Sequence, residues 1–267
     1  MSFFTATVMQ KTVFGFVLSI LGGLVLLFLL APLVKIFISV MPEQYFETIS
    51  DPEVNRSIGL TLWVSLASTI VFSLGAIPLA YLLARNEFPG KRIVQSIIDL
   101  PIVIPHSAAG IALLGFLSRD TALGKLASSV GLDFVGHPLG IGVAMAYVSL
   151  PFLINAARNG FQMVPVRLEK AAMVLGASPL RVFFTISLPL AARSVMSGLV
   201  MMFARGLSEF GAIVIIAYYP MVTPIMIWER FGAFGLKYAQ PVAAVFIAVC
   251  LVFFVLIRML AKERLDD

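Results

Sequence analysis

Residues Glu169–Leu190 read EKAAMVLGASPLRVFFTISLPL, a charged, helix-sized segment inside a chain that is otherwise strongly apolar. How this stretch folds decides what the apolar runs on either side must be. Leu168, Ala171, Ala172 and Leu175 recur at i, i+3, i+4 and i+7, the spacing of one helical face. Gly176 then ends the turn. Ser178 followed by Pro179 is the signature of a new helix, with proline at its first position. A second amphipathic helix, with Val182, Phe183 and Ile186 on one side, is predicted to run to Pro189. The segment is therefore expected to be a helix–turn–helix at a membrane surface, a rigid lever with an apolar side and a basic rim. A surface hairpin that engages no partner is the other reading of the same residues.

The flanking sequence supplies the membrane. Of 267 residues, 60% are hydrophobic and only 12% charged, against about 45–50% and about 25% in a soluble domain. Lipid is the solvent that suits such a surface. A crossing helix needs about 20 mostly apolar residues to traverse roughly 30 Å of hydrocarbon, and six windows qualify: 13–40, 57–84, 93–117, 139–157, 195–218 and 241–261. The first is longer than a signal-peptide core and has only Lys11 upstream, so it reads as a retained span.

Six spans leave both termini on one side. Twelve of the nineteen Lys and Arg residues fall on that side, among them Arg85, Arg158, Arg167, Lys170, Arg181 and Arg193. Five fall on the other, and Lys35 and Arg205 lie within spans. The positive-inside rule then places both termini and the loop 158–194 in the cytoplasm of a multi-pass protein of the cell (plasma or inner) membrane. The net charge of +5 is carried by these scattered residues, not by a nucleic-acid patch. Cys250 is the only cysteine and sits in an apolar run, so no intrachain disulfide forms.

The stretch DLPIVIPHSAAGIALLGF (99–116) carries two prolines and then Ser107, Ala108, Ala109 and Gly110, small residues suited to close helix packing. Asp99 reads as a cap-like residue at this helix start. Leu123, Leu126, Ala127 and Val130 repeat at helical spacing in the loop after it and predict a short interfacial helix. No internal repeat or low-complexity linker divides the chain, so it reads as a single domain over 1–267.

Catalytic chemistry is missing from the sequence. His106 and His137 stand in no ligand spacing, FPGKR lacks the rest of a phosphate loop, and no GxSxG elbow occurs. No catalytic residue, metal ligand or nucleotide-binding motif is expected in this chain. Arg205 and Glu209, in FARGLSEFGA, are ionisable residues four apart in the fifth window. Either they form a self-neutralising pair on one helix face, or they face a water-lined pathway or a second subunit.

The loop resembles the signature of permease subunits of binding-protein-dependent ATP-binding-cassette importers: EAA, three residues, Gly, nine residues, Ile, one residue, Leu-Pro. Lys170-Ala171-Ala172, Gly176, Ile186, Leu188 and Pro189 stand at that spacing, with one departure. Lys170 occupies the glutamate position, and Glu169 precedes it. ARGLSEFGA and LPIVIPHSAAGIALL are similar to segments of the molybdate, tungstate and sulfate permeases, so the resemblance covers 57–261.

It implies an all-α transmembrane protein with the six-span type I importer fold and a cytoplasmic coupling helix. The subunit would work as a homodimer, with two ATPase subunits docked below and a substrate-binding protein above. The coupling residues implied are Glu169, Lys170, Ala171, Ala172, Leu175, Gly176, Ala177, Ser178 and Pro179, seated in a groove of the ATPase. ATP and magnesium would bind that partner and no cofactor this chain. An oxyanion substrate, molybdate or tungstate before sulfate, would make Ser107, Arg205, Ser208 and Glu209 the pathway or gate residues.

Overall fold

A computed structural model of the chain describes the backbone of Ser2–Asp266, with side chains described from Phe14 to Leu256 and at Met259. Among the described residues the regular structure is entirely helical. In chain order the helices are α1 (Ser2–Ile38), α2 (Pro42–Ser50), α3 (Pro52–Arg85), α4 (Lys91–Val103), α5 (His106–Leu117), α6 (Ala122–Ser129) and α7 (Pro138–Met163). They are followed by α8 (Val166–Val174), α9 (Pro179–Val182), α10 (Leu188–Leu207), α11 (Ile213–Ile216), α12 (Thr223–Phe234) and α13 (Leu236–Asp266).

Phe14–Ile38, Pro52–Arg85, Pro138–Met163, Pro179–Leu207 and Leu236–Leu256 are each long and apolar enough to cross a membrane. The sixth crossing is not one helix. The predicted span 93–117 is broken between α4 and α5, whose axes turn through 113°. Pro105 causes the break: its ring removes a backbone donor and holds Ile104 extended, at φ −72° and ψ 148°. Asp99 consequently lies inside α4 and caps nothing. It accepts a hydrogen bond from Asn155 Nδ2 of α7 at 2.6 Å.

The fifth window is also corrected. One continuous helical rod runs from Pro179 to Leu207, so the predicted stop at Pro189 does not occur. Phe183–Ser187 form a π-helical turn in which the Leu188 N–H reaches the Phe183 carbonyl. The wider turn accommodates the donor that Pro189 lacks. At its other end the rod stops at Leu207, well before the predicted Tyr218. The Glu209 carboxylate accepts the Ala212 backbone N–H at 2.8 Å, a side-chain alternative to the helical ladder. The loop expected over 158–194 shrinks accordingly, because α7 continues to Met163 and the rod begins at Pro179.

The core is the crossing of α3, α7 and α10. Ala80, Leu83, Leu153, Phe161 and Met202 are buried where the three meet. The α7–α10 contact is backbone-close, since a Cβ at Gly160 would collide with Ser194. Hydroxyls tie the helices without exposing polar atoms: Ser65 Oγ donates to the Phe203 carbonyl at 2.9 Å and Ser68 Oγ to that of Gly142 at 2.7 Å. Of the small residues of α5 expected to pack, Ala109 and Gly110 are buried against Ala212, while Ser107 and Ala108 are exposed. The predicted interfacial helix is α6, started by Thr121, whose hydroxyl accepts the Gly124 N–H. In contrast, α1 is exposed along Phe14–Lys35.

Candidate functional site

The first site is the mount of the Glu169–Leu190 segment. The α8 helix ends in a Schellman turn: Gly176 N–H bonds to the Met173 carbonyl and Ala177 N–H to that of Ala172, both at 3.0 Å. Gly176 has φ +90°, which a residue with a Cβ adopts only under strain. Ser178 then caps the next helix by accepting the Arg181 N–H at 3.3 Å. The break and the start of the second helix thus stand where the sequence puts them, although that helix continues past Pro189.

Their faces do not. Leu168, Ala171 and Leu175 are exposed, Ala172 is half-buried, and the side chain turned fully inward is Glu169. Arg85, at the end of α3, grips both Glu169 oxygens through Nε and Nη2 at 2.7–3.0 Å. The same Nη2 donates to the Val164 carbonyl at 3.1 Å, and Ser187 of the π-helical turn donates to Glu169 at 2.6 Å. Tyr81 lies under the Arg85 guanidinium and packs edge-on against Phe161 and Phe183.

Burial pushes the Glu169 carboxyl up, but the hydrogen bonds from Arg85 and Ser187 and the Arg85 charge outweigh it and hold its pKa below 4.5. Glu169, grouped in the sequence with the loop surface, is therefore an internal brace joining α3, α8 and the rod. The motif's glutamate position falls to Lys170, which is exposed on the outer side. The surface that remains is the apolar tip: Val174 and Leu175 are each 87% exposed, next to Leu180, with Gly176, Ser178 and Pro179 exposed and Ala177 half-buried.

The second site lies where two crossings break. His106 opens α5, Arg205 is in the last turn of α10, and Glu209 and Ala212 sit in the bend before α11. Glu209 is fully buried. Its Oε2 lies 2.8 Å from His106 Nδ1 and 3.1 Å from Arg205 Nη2, while Oε1 takes the Ala212 N–H. Arg205 Nη2 is also 2.8 Å from His106 Nε2. The same Nη2 stands 2.8 Å from His106 Nδ1 as well, so the three side chains form one compact cluster. Arg205 Nη1 donates to the exposed Ser208 hydroxyl at 3.1 Å.

The sequence-nominated pair is thus a real contact, made across a helix end instead of along one helix face. Ser107 is exposed one residue beyond His106. Arg85, Ser187 and His106 were not nominated. From sequence Arg85 reads only as an orienting charge, and the one signal for His106 is its place directly after the Pro105 break. Their partners lie far away in sequence, 84 residues for Arg85 and Glu169 and 99 for His106 and Arg205.

Residues 76–266 match the protein family described as binding-protein-dependent transport system inner membrane component. The molybdate/tungstate transport system permease protein WtpB of Pyrococcus furiosus is 42% identical over 242 residues, covering 90% of this chain and 92% of that one. Its counterpart from Thermococcus kodakarensis is 39% identical over 246 residues, covering 91% and 94%. Among solved structures, a bacterial ABC transporter that imports the acidic polysaccharide alginate superposes with a TM-score of 0.70 at 21% identity, covering 89% of this chain and 91% of that one. The motif spacing, the broken helical bundle and these similarities agree, and the chain belongs to the binding-protein-dependent transport system inner membrane components, with the fold of a type I ABC importer permease.

Proposed function

We propose that this permease passes an oxyanion, molybdate or tungstate, into the cytoplasm as a homodimer driven by two separate ATPase subunits and supplied by an external binding protein. Identity of 42% over nine-tenths of the chain to a molybdate/tungstate permease carries the substrate reading. The apolar tip at Val174 and Leu175, exposed yet rigidly mounted, supports the ATPase contact. ATP and magnesium belong to that partner. Both termini and α8 lie in the cytoplasm, following the basic residues.

The mechanism follows from the mount. Closure of the ATPase pair displaces the tip at Leu175 and Gly176. Glu169 passes the displacement to α3 through Arg85 and to the rod through Ser187. From Pro179 to Arg205 the rod climbs about 39 Å at 1.5 Å per residue, which carries the motion to the His106–Arg205–Glu209 break. Access alternates as that break and the cytoplasmic side open in turn. Ser107, Arg205 and Ser208 offer the passing anion its donors.

The test is uptake into proteoliposomes holding the permease, its ATPase subunit and the binding protein. ATP-dependent accumulation of molybdate or tungstate in preference to sulfate is the expected outcome. Preference for sulfate would overturn the substrate assignment alone. Uptake driven by an ion gradient without an ATPase subunit would overturn the importer assignment and favour a secondary transporter.

A further inference from the structure

The first turn of α3, the length of α12 and the start of α13 enclose a cavity of about 230 Å³, apart from both sites described above. Its polar lining is Glu53 of α3 with Glu229 and Arg230 of α12, and its walls include Met226, Phe234 and Tyr238. The Phe234 and Tyr238 rings stand 5.6 Å apart, and both are exposed at the rim.

Among the described residues, Glu229 Oε2 is one of two buried side-chain polar atoms with no hydrogen-bond partner, the other being Arg158 Nε. Tyr218 serves the same carboxylate but leaves this oxygen unmet. A buried acceptor without a donor is costly, so a donor from outside the chain is implied. Beside it, Arg230 commits Nη2 to Asp51 at 2.7 Å, and its side chain remains 24% exposed. Two carboxylates, an arginine and aromatic walls in one small cavity are the complement of a zwitterion. The carboxylates and ring faces attract an ammonium, and the guanidinium attracts a phosphate. The unmet oxygen needs an N–H, which selects a primary ammonium over a quaternary one.

The cavity stands at headgroup depth. Helix α3 has 34 residues and is about 51 Å long, against roughly 30 Å of hydrocarbon. Glu53, in its first turn, therefore lies beyond the hydrocarbon. The apolar span of α13 begins at Leu236, so Tyr238 marks the hydrocarbon edge. Exposed Trp228 and Phe231 continue this rim, as in the aromatic belt of a membrane interface.

We propose that this cavity binds the headgroup of phosphatidylethanolamine in the outer leaflet. Its ammonium donates to Glu229 Oε2 and to Glu53, and its phosphate meets Arg230. The acyl chains descend the exposed apolar side of α13. A seated headgroup ties the start of α3 to the elbow between α12 and α13 at Gly235. The site needs only the membrane assignment and the orientation given by the basic residues, and it stands whatever substrate the permease carries.

The test is native mass spectrometry and thermal melting of the delipidated transporter, titrated with phosphatidylethanolamine, phosphatidylcholine and phosphatidylglycerol of matched chains. Phosphatidylethanolamine is expected to bind about tenfold or more tightly than either of the others, the worth of one hydrogen bond to a charged group. It is also expected to raise the melting temperature. Glu229→Gln should erase the preference over phosphatidylcholine. Arg230→Gln should weaken all three lipids alike, with Arg230→Lys restoring them. Glu53→Gln, at an exposed position, should narrow the preference, and it carries the test if Glu229→Gln fails to assemble.

Equal binding of the three lipids overturns the site, as does a preference that Glu229→Gln and Glu53→Gln both leave intact. Free phosphoethanolamine binding as tightly as the lipid would make the ligand a soluble zwitterion and overturn the lipid assignment. If Glu229→Gln weakens docking of the external binding protein while the lipid preference is unchanged, the cavity takes a basic side chain of that protein, and the proposal fails.

Discussion

Replacing Glu169 tests how motion leaves the coupling loop. The carboxylate is 5% exposed and takes charged hydrogen bonds from both Nε and Nη2 of Arg85, itself 12% exposed, plus one from Ser187. Removing one partner of a buried ion pair costs about 3–5 kcal/mol, because the other charge is left without compensation. Glu169→Ala falls in that range. Glu169→Gln keeps the Ser187 bond and one bond to Arg85 but loses the charge, and should cost about 1.5–3 kcal/mol. The loss falls on the joint between α8 and the rod, so the variant is expected to insert in the membrane and bind the ATPase while transport uncouples from hydrolysis. The readout is anion transported per ATP hydrolysed in proteoliposomes, together with amide exchange across 166–188. Alanine should lower the transport ratio further than glutamine. Combining Glu169→Leu with Arg85→Met should cost less than the two single changes summed, since an apolar pair leaves no stranded charge. Unchanged stoichiometry and exchange in Glu169→Ala would refute the brace. The pH dependence has a definite sign: the carboxyl is held below its ordinary 4.5, so its contribution is fully present above that value and is lost as pH falls through the depressed one.

Gly176→Ala should weaken ATPase binding by about 1–2 kcal/mol through backbone strain, with Gly176→Asn milder. A Cβ there meets no atom within 4 Å, so a steric defect that grows with side-chain size in the permease alone would contradict this account. Leu175→Asp, at 87% exposure, should leave the permease within about 0.5 kcal/mol of its stability while abolishing co-purification of the ATPase subunit; retained binding would move the contact elsewhere. Asp51 caps α3 and pairs with Arg230 at 2.7 Å. Burial raises its pKa, but the hydrogen bond and charge of Arg230 and the backbone donors lower it further, to below 3.8. Asp51→Asn keeps the cap and should cost under about 1 kcal/mol, an effect that shows in thermal melts above pH 4 and fades as pH falls through the depressed value; a loss independent of pH would implicate the cap.

What could be read from residue order was whatever local periodicity encodes. The Gly-Ala-Ser-Pro break, α6 and the crossings of α1, α3, α7 and α13 follow from spacing, capping and length, because each depends on neighbours within a turn or two. The errors fell where a proline or a polar side chain can be satisfied in more than one way. Pro105 breaks its crossing because Ile104 turns extended with nothing spanning the gap. Pro189 breaks nothing because a π-helical turn absorbs it. Glu209 ends a helix by taking a backbone donor from Ala212, an outcome that hydropathy does not register.

By itself, then, the sequence determined an all-α membrane protein with a bent, capped, charged segment between its apolar runs. It also carried the motif that placed the chain among importer permeases. Only the tertiary structure decided which side of that segment faces inward. Helical spacing defines a face but not what it packs against. Glu169 turns in because α3 brings Arg85 to it across 84 residues, leaving Lys170 on the outer side where the motif has its glutamate. The same holds for His106, whose meaning rests on Arg205 and Glu209 arriving at the break it opens. A buried charge settles where a distant partner compensates it, and that distance exists only in the fold.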